Sequence, residues 1–397
     1  MVIQRLRPLF SGQGVQVEEL CRELARRDVP ATILTAGHGR NPPWENVDGY
    51  RIRRLRADIP WLSSRLRPGR FRSEIFGLRA FMWLMLHGWR TQLLHAHTLS
   101  DALYSSWLFA RLRGIPLIFE MTLVGTDDAL SFAGNRLRFR RLRNRIFRRC
   151  DGYVAISPAL ARAYEQAGLP PQKLRLIPQG VDINRFRPAE NVGDHRQALG
   201  IPKHGAVVVF VGSLIERKGI DLLLAAWEEV HTASPNATLV LVGRNEFADD
   251  PAAAAFLEDH LGRLSEGALG HVLQTGVRPD VEEYLRAADL FAFPSRREGF
   301  GTVMIEAMAT GLPCVVAELP DITDYIFAAD GSSGTIVPRD DAGALATELC
   351  LLLADPDRAT AMGTAARQRV AARFSVTRVA DDYLDFYAWL AAGKEDS

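Results

Sequence analysis

Residues 293–313 read FPSRREGFGTVMIEAMATGLP. A mostly apolar run over 287–293 ends at Pro294-Ser295, and a charged loop, Arg296-Arg297-Glu298, follows. Gly299-Phe300-Gly301 then leads into 302–310, a helical stretch closed by Gly311 and Pro313. The order is strand, loop, glycine turn, helix, stop. Free backbone N–H groups at the start of such a helix make an anion site, and glycine lets a ligand approach the backbone closely. Two carboxylates bracket the turn, Glu298 before it and Glu306 on the second helical turn. Carboxylates are poor phosphate ligands and good acceptors for sugar hydroxyls. The plain reading is a site for a phosphate flanked by hydroxyl-rich groups. An ordinary strand–helix unit with surface glutamates stays open beside it.

Glu298, seven intervening residues and Glu306, with GFG after the first Glu and EAMATGLP starting at the second, resemble the E-x7-E motif of family-4 glycosyltransferases. The resemblance implies an α/β chain of two Rossmann-like domains facing each other across a cleft, the GT-B type, and transfer with retention. It implies that Glu298 contacts the donor sugar. The N–H groups of Gly299, Phe300 and Gly301 would meet the diphosphate, and Glu306 would bind the nucleotide ribose.

At 397 residues the length favours two or three domains, each able to bury a core. Cys21, Cys150, Cys314 and Cys350 are scattered without metal spacing, which predicts reduced thiols in a cytosolic protein. The start, MVIQRLRPLF, does not read as a signal peptide, and no apolar run is long enough to span a bilayer. So abrupt a start leaves either a short first strand or a few residues lost upstream. Residues 1–150 hold 26 Arg, no Lys and 12 acidic residues, a surplus of 14 positive charges. Because the whole chain is +1, residues 151–397 carry −13. Such asymmetry points the first half toward something anionic: a membrane surface, an acidic acceptor or nucleic acid. Arg-rich composition with ordinary solvated helices is the plainer alternative.

Residues 2–10 predict a short strand, Ser11-Gly12-Gln13-Gly14 a glycine loop, 15–27 a helix and 31–35 a second strand. The loop lacks the dinucleotide spacing, which argues against a nicotinamide site. The resemblance makes Gly12 and Gly14 candidates for a loop against the diphosphate or acceptor, with a purely conformational role equally open. Residues 65–79 are basic, and 71–89 form an aromatic-rich helical stripe that fits either a core or a lipid headgroup layer. Residues 92–98 end a strand in His95-Ala96-His97, and 117–120 form the next strand. A histidine at a strand's carboxyl end points into the ligand crevice of an open α/β sheet. His97 is therefore the candidate for approach to the donor sugar, with His95 packed below it. The pair could bind a metal, but no convincing third ligand is legible and none is expected. Glu120, Asp127 and Asp128 are weak candidates for acceptor contacts. Residues 135–149 hold eight arginines at helical spacing, a basic amphipathic helix without any nucleic-acid motif. Pro178-Gln179-Gly180-Val181-Asp182 resembles the family's interdomain segment, with Gln where Asn is usual.

The second domain opens with an apolar strand over 206–211 and a glycine loop containing Ser213, Arg217 and Lys218. A lysine there can place an ammonium beside a diphosphate and stabilise the leaving phosphate. The family pattern puts an arginine where Ser213 stands, and Arg217 is the candidate replacement. By resemblance, Val277 and Arg278 seat the nucleobase. The expected organisation is an acceptor-side domain over 1–182, a linker over 183–205, a nucleotide-sugar domain over 206–373, and a final helix over 374–397 packed back on the first domain.

The function expected is retaining transfer of a sugar from a nucleotide-sugar donor to an anionic or lipid-linked glycan acceptor, in surface polysaccharide or glycolipid synthesis. Glu298, Lys218 and His97 would carry the chemistry, with no cofactor and no metal. The protein is expected to be cytoplasmic, with peripheral contact at the inner face of the cytoplasmic membrane, and no nucleic-acid partner. A synthase or phosphorylase on a soluble sugar or sugar phosphate, a nucleotide-sugar epimerase, and a catalytically idle nucleotide-sugar-binding protein remain as alternatives. The sequence names neither base, sugar nor acceptor, and leaves the oligomeric state open.

Overall fold

In the second of two units, six all-parallel strands run in the order β10-β9-β8-β11-β12-β13. They are β8 (Val207–Val211), β9 (Thr238–Val242), β10 (Val272–Gly276), β11 (Leu290–Phe293), β12 (Cys314–Ala317) and β13 (Thr335–Val337). The sequences VVVFV, TLVLV, LFAF and CVVA are apolar on both faces because helices cover both sides of a parallel sheet. Each fully buried Val or Phe contributes about 1.5–3 kcal/mol to that core. Numbered within the unit, the order is 3-2-1-4-5-6, the Rossmann arrangement, and it reverses between β8 and β11.

The computed structural model describes residues 1–7, 11–37, 41–57, 72–97, 102–126, 128–134, 140–243 and 251–395. One unit comprises Met1–Gly180 with Val376–Ser397, the other Val181–Ser375. In the first, β1 (Thr32–Gly37) pairs in parallel with β3 (Tyr50–Arg56), and β2 (Trp44–Val47) pairs antiparallel to β3. The strands β4 (Leu94–His97), β5 (Leu117–Met121), β6 (Gly152–Ala155) and β7 (Leu174–Leu176) form a parallel run. Val2 joins the two groups, bridging Leu34 on one side and Ala96 on the other. The Val2 segment therefore lies between β1 and β4, so the order also reverses here, beside β4.

Expectation and structure differ at three places. The strand expected over 2–10 pairs only at Val2 among the described residues, although Ile3 and Leu6 are buried. The first helix begins at Gly12 rather than Val15, because Ser11 acts as its N-cap and accepts from the Gly14 N–H at 3.3 Å. Residues 183–205, expected as a linker, belong to the second unit and carry a helix, Val192–Leu199. Arg196 on that helix is buried and donates to the Ala287 and Gly205 carbonyls and to Asp289, 2.6 Å away.

The C-terminal helix, Val376–Glu395, belongs to the first unit. Val379, Ala380, Tyr383, Phe386 and Leu390 line its buried face at helical spacing. Asp381 and the Thr377 carbonyl accept from Arg27 of the first helix, each at 2.9 Å. Arg175 lies over the rings of Phe386 and Trp389, 5.3 and 4.6 Å from their centroids. Of the basic stretch 135–149, Arg140–Phe147 is helical; Ile146 and Phe147 are buried and Leu142 is exposed. Residues 135–139 and 65–71 lie outside the described residues. No helix among the described residues is long and apolar enough to cross a membrane.

Candidate active site

The loops leaving β8 and β11 lie side by side because those strands pair directly, Leu290 against Val208 and Phe291 against Val209. Ligands bind outside the carboxyl ends of strands where the order of an open sheet reverses. Lys218 and Glu298 meet there. Lys218 Nζ donates to Glu298 Oε1 at 2.6 Å, and Ser295 Oγ donates to the same oxygen at 2.6 Å. Arg217 Nη1 lies 3.7 Å from it and donates to the Arg297 carbonyl at 2.8 Å. Glu298 is 8% exposed, so these partners replace much of the water its charge would otherwise hold. The Lys218 ammonium also sits over the Phe293 ring, 5.1 Å from the centroid.

Backbone geometry fixes both loops. Gly219 has φ +71°, and a Cβ there would lie 1.9 Å from the Pro294 carbonyl oxygen. Only glycine lets the turn carrying Lys218 press against the end of β11. Gly301, φ +83°, is the N-cap of the helix Thr302–Ala309. Arg296 locks the outer side of the site, donating to both Asp221 oxygens at 2.8 Å and to Asp340 at 2.5 Å. Burial works against charge on Asp221, but the Arg296 hydrogen bonds and charge hold its carboxyl below the ordinary range.

The other expected donor-site residues fall at different distances in the fold. Gly299 is buried, and the Phe300 side chain packs edge-on against Phe374, centroids 5.8 Å apart. Phe300 therefore offers a ligand only its backbone. Glu306 is half-buried on the helix Thr302–Ala309. The Ser213 carbonyl accepts from the Ile215 N–H at 3.0 Å on the loop ahead of Lys218. Val277 is exposed just past β10, and Arg278 is paired with Asp280 at 3.0 Å. The edge position of β10 sets both three strands away from β11.

In the first unit, Gly12 and Gly14 occupy the opening turn of the first helix. Asp127 lies outside the described residues. Asp128 is buried and organises its own turn, accepting from Gly125 N–H, from Ser131 N–H at 2.7 Å and from the Ser131 hydroxyl at 3.0 Å. Glu120 is 3% exposed and His97 2%, so both are interior groups in this structure. Glu120 is paired in register with His97 across β4 and β5. Its Oε1 lies 3.2 Å from His97 Nδ1, and its Oε2 lies 3.4 Å from His95 Nε2. The C-terminal helix completes the cluster: the Tyr383 hydroxyl donates to Glu120 Oε2 at 2.6 Å, and the Tyr387 hydroxyl is 2.9 Å from His95 Nδ1. His95, His97 and Glu120 bring one ligand atom each within 4.8 Å of one another, so a third residue of metal-binding type stands beside the two histidines. The sequence marked Glu120 only as a candidate for acceptor contact; neither it nor the tyrosines shares a local motif with His97, which is why spacing did not reveal the cluster.

Two family profiles match the chain. One, described as "Glycosyl transferase 4-like domain", covers residues 11–180, and the other, "Glycosyl transferases group 1", covers 205–355. A D-inositol 3-phosphate glycosyltransferase of Segniliparus rotundus is 32% identical over 391 residues, spanning 95% of this chain and 84% of the relative. D-inositol 3-phosphate glycosyltransferase 2 of Catenulispora acidiphila is 31% identical, spanning 95% and 90%. Among solved structures, the sucrose-phosphate synthase of Thermosynechococcus elongatus superposes with a TM-score of 0.79 at 25% identity, covering 99% of this chain and 98% of that one. Anabaena Alr3699/HepE, solved in complex with UDP and glucose, superposes with a TM-score of 0.77 at 20% identity, covering 98% of each chain.

Proposed function

We propose that this chain, which belongs to the family-4 glycosyltransferases of GT-B fold, moves a sugar from a nucleotide-diphosphate donor to a phosphate-bearing acceptor, with retention at the anomeric carbon. The observation that carries the reading is the Lys218–Glu298 pair at the point where the second sheet reverses its order. Breaking the bond between sugar and diphosphate leaves negative charge on phosphate oxygen and positive charge on the sugar. Lys218, Arg217 and the N–H groups of residues 299–301 supply cationic and dipolar partners for the first. Glu298 supplies an oxygen for the hydroxyls of the second, its orientation fixed by Lys218 and Ser295. Retention requires the acceptor oxygen to arrive on the face the diphosphate leaves, so the departing phosphate oxygen is placed to take the acceptor's proton.

Support for a phosphate on the acceptor comes from the 14-charge positive surplus of residues 1–150 and from relatives named for D-inositol 3-phosphate. One observation favours a second acceptor, carried at a lipid surface. Leu78, Met82 and Leu86 form an exposed stripe on the helix Arg72–His87, continued by Trp89 and by Leu108 and Leu112 of the helix Ala102–Arg113. Arg90 and Arg111 are exposed beside it. Basic residues rimming an apolar stripe fit an anionic headgroup layer. The test is a transfer assay with UDP-, GDP- and ADP-sugars, offering inositol phosphate or an anionic lipid extract as acceptor. A product carrying the donor's anomeric configuration supports the reading, and the acceptor that reacts separates the two forms. No consumption of any nucleotide sugar with either acceptor would sink it.

A further inference from the structure

Glu120 is an almost fully buried carboxylate, and such a charge is costly unless hydrogen-bond donors surround it. Three groups converge on it: the Tyr383 hydroxyl, the His97 Nδ1 edge and the His95 Nε2 edge. Burial works against its charge, but the His97 ring and the contacts from both histidines hold its carboxyl well below the ordinary range. Burial, and then His97, push His95 down to about 3, so His95 is a neutral ring. Its Nε2 edge faces Glu120 at 3.4 Å, and its Nδ1 lies 2.9 Å from the Tyr387 hydroxyl, which can donate to it. An ionised carboxylate accepts hydrogen bonds and cannot donate them, so the His97 nitrogen facing Glu120 carries hydrogen.

We propose that Glu120 is a positioning residue that fixes the proton of His97 on Nδ1, and that Tyr383 of the C-terminal helix holds Glu120 in place for this task. The proposal rests on the reading of His97 as a residue that meets the donor sugar. With Nδ1 facing Glu120 at 3.2 Å, Nε2 is the nitrogen that would meet a hydroxyl of the sugar. Burial and the Glu120 charge push the Tyr383 hydroxyl well above its ordinary range, so it remains a donor across the working pH range. The other titratable groups around the cluster are Tyr387 on the same helix, Cys21 on the first helix and the Met1 amine. Burial holds both Tyr387 and Cys21 protonated.

The experiment is ¹⁵N histidine NMR on the full chain, with His97 assigned through His97→Asn, alongside steady-state transfer. The wild type should show one His97 tautomer, protonated at Nδ1. Glu120→Gln should shift the His97 nitrogens toward a mixture of tautomers and lower kcat about ten-fold or more, with donor KM within two-fold. Tyr383→Phe removes one hydroxyl and keeps the ring, so it preserves the fold and should show the same changes in smaller measure. Unchanged His97 signals in both variants would overturn the proposal. So would a stoichiometric divalent ion that co-purifies and whose removal alone moves the His97 signals, because Nδ1 would then be a ligand and not a donor. His97 signals that respond in a wild type unable to transfer any sugar would uphold the network and sink the functional reading instead.

Discussion

Lys218 and Glu298 are 80 residues apart in the chain and 2.6 Å apart in the fold. They form an ion pair, and under the proposed function each would have a different task toward a bound donor. Glu298→Ala should therefore lower kcat at least a hundred-fold while leaving nucleotide diphosphate binding within a few-fold. Lys218→Ala should weaken that binding about ten-fold or more, and should flatten its dependence on salt. Calorimetry with UDP, GDP and ADP measures the second effect. Near-normal turnover by Glu298→Ala would remove its assigned role.

Gly219→Ala tests the backbone contact beneath the pair. The added Cβ would lie 1.9 Å from the Pro294 carbonyl oxygen at a φ of +71°, so either β11 or the Lys218 loop must move. The expected loss is about 2 kcal/mol or more of unfolding free energy. Denaturant unfolding measures it, and an unchanged midpoint would contradict the packing described.

Arg196 distinguishes a folded segment from a tether. Its guanidinium donates to the Ala287 carbonyl at 2.8 Å and to Asp289 at 2.6 Å from a buried position. Arg196→Ala should destabilise the second unit by about 3 kcal/mol, because it strips buried acceptors of their partner. A variant as stable as the wild type would return residues 183–205 to the role of linker.

The Asp221–Arg296 pair predicts a pH signature. The Asp221 carboxyl is lowered in the folded chain, so the stability it contributes is present above its ordinary value of 3.8 and fades as pH falls through the lowered one. Asp221→Asn should cost about 1–2 kcal/mol at neutral pH, and the gap from the wild type should close in strong acid. A gap that stays constant down to pH 2 would show that the pair does not titrate with folding.

Met82→Glu with Leu86→Glu replaces two exposed apolar groups with charge, and should leave the fold unchanged. Co-sedimentation with vesicles containing anionic lipid should drop several-fold if this face meets a headgroup layer. Equal sedimentation of variant and wild type would favour the soluble phosphate-bearing acceptor.

Local chemistry made the second unit legible. The turn at Gly299–Gly301 and the lysine before Gly219 each announce themselves within ten residues, and each lies next to the strand that positions it. The pairing of β8 with β11 then joins them. His97 was legible for the same reason, as a polar residue at a strand end. Glu120 was not, because its role comes from lying opposite His97 in a neighbouring strand, and register cannot be read from either strand alone. Tyr383 and Tyr387 were further removed still, reaching His95 and Glu120 across more than 260 residues of chain. The helix at 192–199 was obscured by the prolines and polar residues around it. Its evidence is one buried arginine, and burial is a tertiary property.

The C-terminal helix follows the second unit in the chain yet fills the interior of the first. Phe386 lies so close to Gly152 that a Cβ there would be 2.6 Å from its ring, and Tyr383 closes the hydrogen bonds of Glu120. During synthesis the second unit is a continuous segment that can collapse as it leaves the ribosome. The first unit, although translated earlier, has an open core until Val376–Glu395 appears. A nascent chain stalled before Val376 would thus expose the apolar floor of its earliest-made part, which the helix Val376–Glu395 covers.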